Sequence, residues 1–164
     1  MSAPARFLDR DSLARLLAVE RSREPPPRVV LANGCFDLLH VGHLRYLAAA
    51  RALGDVLVVA LNDDASVRAN KGPGRPLVAL AERAELLLGL RVVDWVTSFS
   101  EPTLERTLRL LHPAVHAKGT DYTAENVPEV EIDRELGIEV AICGDKKQHS
   151  TSALVRELTE RGPE

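Results

Sequence analysis

Hydrophobic residues along this chain follow two alternating spacings, and the alternation predicts a sheet of parallel strands connected by helices. Short apolar runs rich in valine, leucine and alanine are typical of buried strands, whereas leucines three or four positions apart are typical of one helix face. The runs that predict strands lie at residues 28–32, 55–62, 91–99, 114–119 and 138–143. The helical spacing falls at residues 11–20, 43–53, 80–90, 104–111 and 150–162.

This order of elements predicts the fold class. Strands that alternate with helices favour parallel pairing with right-handed crossovers, which place helices on both faces of the sheet. We therefore expect an α/β fold, with a Rossmann-like, doubly wound, five-stranded parallel sheet between two layers of helices. Ligands of such sheets bind beyond the carboxyl ends of the strands, where the connecting loops lie.

A proline-rich segment divides the chain. Residues 23–28 read REPPPR, and proline stops a helix because it lacks the amide N–H and clashes with the preceding turn. We predict residues 1–27 as an N-terminal helix and proline-rich linker, and residues 28–164 as the domain that carries the chemistry. The total of 164 residues suits one domain with a substantial core.

Composition and charge limit the kinds of molecule that we expect the protein to bind. Hydrophobic residues make up 45% and charged residues 27%, and the net charge of −3 leaves no basic surface of the kind that binds nucleic acid. No apolar run approaches transmembrane length, and the first residues lack the apolar segment of a signal peptide. Isolated Cys35 and Cys143 fit a reducing compartment. We expect a cytoplasmic protein with neither membrane nor nucleic acid as partner.

Two histidines begin the helix that follows the first strand. Residues 33–47 read NGCFDLLHVGHLRYL, with His40, Gly42 and His43 where strand gives way to helix. A helix N-terminus attracts anions through its free N–H groups and dipole, and glycine lets a phosphate approach the backbone. Two imidazoles on one face of the first turn could stabilise a phosphoryl group that gains charge. The alternatives are a surface loop with two unrelated histidines and a zinc pair, which no evident third ligand supports.

Three further loops contain candidate phosphate contacts. In residues 146–155, KKQHSTSALV, hydroxyl groups lead into the last predicted helix, and helix capping is the alternative. Residues 70–76, NKGPGRP, form a basic loop that could close over a polyphosphate, and residues 118–122, KGTDY, follow the fourth strand. Ordinary turns are the alternative for both loops. The candidate side chains are Lys71, Arg75, Lys118, Asp121, Tyr122, Ser150, Thr151 and Ser152.

Several common catalytic motifs do not occur in the sequence. The dinucleotide pattern G-x-G-x-x-G does not follow the first strand, and no G-x-x-x-x-G-K-[ST] phosphate loop is found. The patterns G-x-S-x-G and H-E-x-x-H are also missing. Dinucleotide oxidoreductases, P-loop enzymes, serine hydrolases and zinc peptidases of these types are therefore disfavoured.

With its four motifs in this order, the chain resembles the His-x-Gly-His nucleotidyltransferases, the cytidylyltransferase-like superfamily. NGCFDLLHVGH resembles the first signature of that family, and HSTSALV is similar to the Ser-Thr-Thr/Ser signature of its last helix. VALNDDASVRANKG, VDWVTSF and VHAKGTDYTAENVPE most resemble the adenylyltransferase domain of ADP-heptose synthesis. Thr120 stands where those enzymes have a second glycine, and Ser152 where they often have threonine, which leaves the exact sugar open.

The resemblance implies a reaction in which a sugar 1-phosphate attacks the α-phosphorus of ATP, AMP is transferred and pyrophosphate leaves. It assigns catalysis to His40, His43 and Lys71, and we expect Asp37 to orient an imidazole rather than hold magnesium. It implies Mg²⁺ as cofactor, with no protein ligand assigned, and a homodimer. The remaining nucleotide and phosphate contacts would be Asn33, Gly34, Cys35, Phe36, Asp37, Gly42, Arg75, Ser150, Thr151 and Ser152. The candidates for contact with substrate or base are Asn62, Asp63, Lys118, Gly119, Asp121 and Tyr122.

Other interpretations share parts of this pattern. A glycerol-3-phosphate cytidylyltransferase or an FMN adenylyltransferase would keep the chemistry and change the substrates. A non-catalytic nucleotide-binding module would bind nucleotide without releasing pyrophosphate. A protein-interaction scaffold of the same fold is disfavoured, because the sequence shows no exposed apolar stripe.

Overall fold

A computed structural model describes residues 6–145 and residue 160, and these residues contain one five-stranded sheet in which every strand pairing is parallel. The predicted α/β fold class is confirmed. Each strand lies within a few residues of its predicted range, because continuous apolar runs mark buried strands well. The strands are β1 (Val29–Gly34), β2 (Val56–Asn62), β3 (Trp95–Phe99), β4 (Val115–Gly119) and β5 (Glu139–Cys143).

Helices connect the strands, and two of them were not predicted. The short helices α3 (Asp64–Lys71) and α6 (Val130–Glu135) have few buried apolar residues, so the leucine spacing that marks the other helices is missing. None of the helices in the described ranges is long and apolar enough to span a membrane. The predicted helix at residues 150–162 lies outside the described residues, apart from residue 160. The helices are α1 (Arg10–Glu20), α2 (Val41–Arg51), α3 (Asp64–Lys71), α4 (Leu80–Gly89), α5 (Glu105–Leu111) and α6 (Val130–Glu135).

The order of the strands determines where loops from different parts of the chain meet. The sheet runs β3-β2-β1-β4-β5, so β1 lies at the centre between β2 and β4. The chain moves from β1 to β2 on one side and later returns to β4 on the other side, which makes the end of β1 a topological switch point. The loops after β1, β2 and β4, which contain most of the candidate residues, therefore share one edge of the sheet.

Apolar side chains fill both sides of the sheet. Val30 and Ala32 of β1 pack in the core on one face, together with residues of α2 and α4. Val29 and Leu31 point to the opposite face, where the core includes residues of α1 and α5. The alternation along β1 places residue 33 on the side of Leu31 and residue 34 on the side of Ala32.

The helix before the proline-rich segment is part of the second core. Leu13 and Leu17 of α1 are 0% exposed and pack in the same cluster as residues of α5. Asp9 caps α1 by accepting a hydrogen bond from the backbone N–H of Ser12, 2.8 Å away. The division between residues 27 and 28 stays a prediction, but α1 is packed onto the sheet and is not a detached arm.

We expect Leu13→Ala to lower the free energy of unfolding by about 2–5 kcal/mol, because it leaves a cavity in a closely packed core. Val19, on the same helix, is 70% exposed, and Val19→Ala should change it by no more than about 0.5 kcal/mol. Urea denaturation of both variants measures the difference. Equal, small effects at the two positions would show that α1 contributes little to the stability of the domain.

Candidate active site

Two stacked imidazole rings stand at the N-terminus of α2, directly after β1. The ring centroids of His40 and His43 are 3.8 Å apart and the planes are inclined by 20°, which confirms that the two side chains share one face. His40 is the N-cap residue, its side chain makes no capping hydrogen bond, and the first turn contains no acidic residue. The positive end of this helix is therefore available to an anion. We call His40 and His43 the histidine pair.

An aromatic ring packs against His43 of the histidine pair. Phe36 is 5% exposed, and its ring centroid lies 5.0 Å from that of His43. Its backbone is left-handed (φ 48°), an unusual conformation for a bulky residue, which turns the chain sharply after β1. A Cβ atom at Gly34 would lie 3.0 Å from the Phe36 ring, so a larger residue there would require the ring to shift by a few tenths of an ångström. The predicted contacts of both residues with nucleotide stay predictions.

His43 is electrically neutral near pH 7. Burial is the largest cause that lowers the pKa of His43, and the nearby His40 and Lys71 lower it further, to about 4. The backbone carbonyl of Leu38 opposes this shift only in part. His43 therefore offers a hydrogen bond rather than a positive charge, and Lys71 supplies a fixed positive charge nearby.

Asp37 holds the loop between α3 and α4, which corrects the expectation that it orients an imidazole. One carboxylate oxygen accepts a hydrogen bond from Arg75 Nη1 at 2.7 Å, and the other accepts the backbone N–H groups of Leu77 and Val78 at 2.6 and 3.1 Å. Burial raises the pKa of Asp37, but these hydrogen bonds outweigh burial and leave the pKa below its usual value. Arg75 is thereby held beside β1, and its predicted grip on phosphate stays a prediction.

A fully buried arginine, missed by the sequence reasoning, joins three loops of the site. Arg83 of α4 is 0% exposed, and its guanidinium donates hydrogen bonds to the backbone carbonyls of Cys35, Asn62 and Val78. It also pairs with Asp64 at 2.7 Å. The sequence contained a sign that Arg83 is buried, because Arg83 lies between Leu80 and Leu87 on the apolar face of α4.

The loop after β2 contributes a second wall. The Sγ atom of Cys35 lies 3.7 Å from Asn62 Oδ1, and burial raises the pKa of the Cys35 thiol. Asn62 is 8% exposed at the end of β2. Asp63, a candidate for contact with substrate or base, caps α3 by accepting the backbone N–H of Ser66 at 2.7 Å. Lys71 is exposed at the last position of α3.

A polar cluster lies on the other side of β1, beneath the carboxyl ends of β1 and β4. Lys118 Nζ lies 3.2 Å from Asn33 Oδ1, 3.4 Å from Glu129 Oε2 and 4.7 Å from the centre of the Tyr122 ring. His116 Nε2 is 3.3 Å from the same Asn33 oxygen, and its Nδ1 is 2.8 Å from Asp133 Oδ2. We call Asn33, His116, Lys118, Glu129 and Asp133 the switch-point cluster. The candidates Asn33, Lys118 and Tyr122 are thus brought together.

The remaining candidates are placed as follows. Gly42 is the second residue of α2, and Gly119 ends β4 with open space around its Cα. Asp121 is exposed in the turn after β4. Ser150, Thr151 and Ser152 lie outside the described residues.

Protein ligands for a metal ion do not converge at this edge in the part of the chain that the structure describes. Among residues 6–145 and residue 160, no group of three or more His, Cys, Asp or Glu side chains is arranged to hold a metal ion. Both carboxylate oxygens of Asp37 already accept hydrogen bonds from the loop that contains Arg75. The described residues do not fit a protein cage for Mg²⁺, so no catalytic step is assigned to one.

A proton titration tests the neutrality of His43. We expect its ring to titrate near pH 4 in the folded protein, well below the ordinary 6.5, because burial and the neighbouring positive groups disfavour the charged form. Since the unfolded chain binds this proton more readily, the contribution of His43 to stability is present above pH 6.5 and is lost as the pH falls towards 4. NMR of ring-labelled histidine measures the midpoint, with His43→Asn to assign the signal. A midpoint near 6.5 would contradict the burial argument.

Comparisons with known proteins found a matching family model and several similar proteins. A family model described as cytidylyltransferase-like matches residues 31–157. The chain is 47% identical over 146 residues to the bifunctional protein HldE of Ectopseudomonas mendocina, covering 89% of this chain and 31% of that protein. It is 48% identical over 147 residues to the bifunctional protein HldE of Pseudomonas syringae pv. syringae, covering 90% and 31%. The chain thus spans about a third of the length of the curated relatives it matches.

Solved structures show the same fold. A lipopolysaccharide core biosynthesis protein from Thermoplasma volcanium superposes with a TM-score of 0.63 at 27% identity, covering 74% of this chain and 99% of that one. A pantoate–β-alanine ligase from Francisella tularensis gives a TM-score of 0.60 at 16% identity, covering 87% and 67%, and supports the fold alone. On the family match and these identities, the chain belongs to the cytidylyltransferase-like family and is a nucleotidyltransferase.

Proposed function

We propose that this protein transfers AMP from ATP to a sugar 1-phosphate of the heptose type, forming an ADP-sugar and pyrophosphate. The observation that carries the proposal is the stacked histidine pair at an uncapped helix N-terminus, beside the end of the central strand. Support for the heptose branch comes from the 46–48% identity to HldE proteins and from the sequence motifs that resemble the adenylyltransferase domain. Because those relatives are about three times longer, their full activity is not transferred to this chain.

The chemistry requires positioning and charge stabilisation rather than a covalent intermediate. An oxygen of the sugar phosphate forms a bond to the α-phosphorus, the bond from that phosphorus to the bridging oxygen breaks, and pyrophosphate leaves with the electron pair. Neutral His43, stacked on His40, donates a hydrogen bond to a phosphoryl oxygen as negative charge develops there. Lys71 and the N-terminus of α2 supply positive potential at the same place.

Asn33 and Lys118 of the switch-point cluster would contact the nucleoside or the sugar. Asn33 and Lys118 meet at 3.2 Å where β1 and β4 end, on the opposite side of the central strand from the histidine pair. Tyr122 adds a ring that is 37% exposed. A ligand extended across the end of β1 would thus have phosphate-binding groups on one side and polar recognition groups on the other.

Three further properties belong to this proposal. Mg²⁺ would enter with the triphosphate, with phosphate oxygens and water as its ligands, as is common for this ion. The proposed cytoplasmic location rests on the composition and on the two free cysteines of the sequence. The proposed homodimer rests on the family resemblance.

The test is pyrophosphate release by the purified protein with Mg²⁺. ATP and CTP are each paired with heptose 1-phosphate, glycerol 3-phosphate and FMN. We expect release only with ATP and the sugar phosphate. Release only with CTP and glycerol 3-phosphate, or only with FMN, would replace the substrates and keep the chemistry, whereas nucleotide binding without release in any pair would favour a non-catalytic module.

We expect His43→Ala to lower kcat at least about 10²-fold, because it removes a donor that acts on the transition state, while nucleotide affinity falls much less. The matched control is His112→Asn, since His112 is exposed at the end of α5 and its left-handed backbone (φ 44°) tolerates asparagine. Steady-state kinetics and nucleotide titration of both variants give the two values. A His43→Ala variant with wild-type turnover would exclude the assigned role.

A further inference from the structure

The switch-point cluster is more deeply buried than a recognition surface requires. His116 is 0% exposed, Asp133 1%, Lys118 5% and Glu129 6%. Charged and polar groups at this depth are unfavourable unless each one has a partner. Sequence reasoning selected only Asn33 and Lys118 from this cluster, and the roles of His116 and Asp133 are unassigned.

The contacts in the cluster fix the orientation of the Asn33 amide. Lys118 Nζ can only donate hydrogen bonds, so the Asn33 atom that it meets at 3.2 Å is the carbonyl oxygen. His116 Nε2 lies 3.3 Å from the same oxygen and is its second partner. With Lys118 and His116 on its oxygen, the Asn33 side chain directs its amide nitrogen away from the cluster.

Asp133 in turn holds His116. One carboxylate oxygen lies 2.8 Å from His116 Nδ1. The other is buried and has no hydrogen-bond partner among the residues that the structure describes. The position of Asp133 is itself fixed, because its backbone carbonyl accepts the N–H of Ile138 at 2.8 Å at the turn into β5. The imidazole of His116 is thus clamped between α6 and β1.

We propose that His116 is a positioning residue, which Asp133 orients so that it holds the Asn33 amide, and with it Lys118, in the geometry that binds the nucleotide. This inference rests on the proposed function to the extent that Asn33 contacts the nucleotide. His116 itself touches no substrate. Leu31 and His116 are register partners in the parallel pairing of β1 and β4, so Asn33, two residues further along β1, lies on the same face of the sheet as His116.

Two substitutions separate the two contacts of the imidazole. In His116→Asn the side-chain amide can take the place of Nδ1 and keep the bond to Asp133, but it cannot reach Asn33. In His116→Gln the longer side chain can take the place of Nε2 and keep the bond to Asn33, while Asp133 loses its partner. A role in fold stability and a role in positioning therefore predict opposite orders for the two variants.

Dissociation constants for a non-hydrolysable ATP analogue are measured by calorimetry, with thermal unfolding of the same samples. We expect His116→Asn to weaken binding about tenfold with its melting temperature nearly unchanged, since a small misplacement of a binding group is costly. His116→Gln should bind within about twofold of wild type, although it unfolds at a lower temperature, because an unpaired buried carboxylate destabilises the fold. The reverse order, or affinity that simply follows stability, would overturn the proposal.

A double variant tests whether Asn33 transmits the effect. If His116 acts through Asn33, combining His116→Asn with Asn33→Ala should weaken binding no more than Asn33→Ala alone. Additive losses would overturn the proposal. If His116→Asn does not fold, His116→Leu removes both polar contacts of the imidazole, and unchanged affinity in that variant would overturn the proposal too. Wild-type protein that binds the analogue but transfers AMP to no acceptor would refute the proposed reaction and leave this test valid.

Discussion

The geometry of the site depends on one buried cation. Arg83 is completely removed from solvent, and such a charge is tolerated only because each part of the guanidinium has an acceptor. Its acceptors lie in the turn after β1, at the end of β2 and in the loop before α4. Separate loops are thereby fixed relative to one another through their backbone carbonyls. Arg83 thus couples the helix packing of α4 to the position of the loop that precedes the histidine pair.

The Asp37–Arg75 ion pair holds the loop before α4 from the side of the turn after β1. Asp37 belongs to the turn after β1, and it fastens the loop before α4 by a side-chain ion pair and backbone N–H bonds. Arg83 fastens the same loop through the carbonyl of Val78. A loop held at both its N–H and C=O groups needs little reorganisation when a ligand binds, which is the condition for electrostatic preorganisation.

The sequence predicted the sheet better than the site, for a physical reason. Strands buried on both faces appear as continuous apolar runs, and every one of the strands in the described residues was found. The motif with the histidine pair was recognised through its resemblance to a known family, since its residues and spacing alone left a surface loop with two unrelated histidines open. Arg83 and His116 were missed because a polar residue inside an apolar segment interrupts the hydrophobic pattern without indicating a partner. Only the tertiary structure shows which groups these two side chains contact. Asp37 was given the wrong partner because Arg75 lies far along the chain and approaches it only through the loop before α4.

In the proposed reaction, neutral His43 acts as a hydrogen-bond donor while Lys71 supplies positive charge. A second fixed cation beside Lys71 would bind the triphosphate more tightly before reaction, and tighter binding of the ground state alone does not accelerate the chemical step. A neutral donor instead gains strength as charge develops on the oxygen it contacts, and the buried, low-dielectric setting that lowers the pKa of His43 to about 4 also strengthens that hydrogen bond. In the proposed reaction, the partial burial of this imidazole, which the packing of Phe36 against His43 helps to maintain, therefore favours the transition state over the bound substrate.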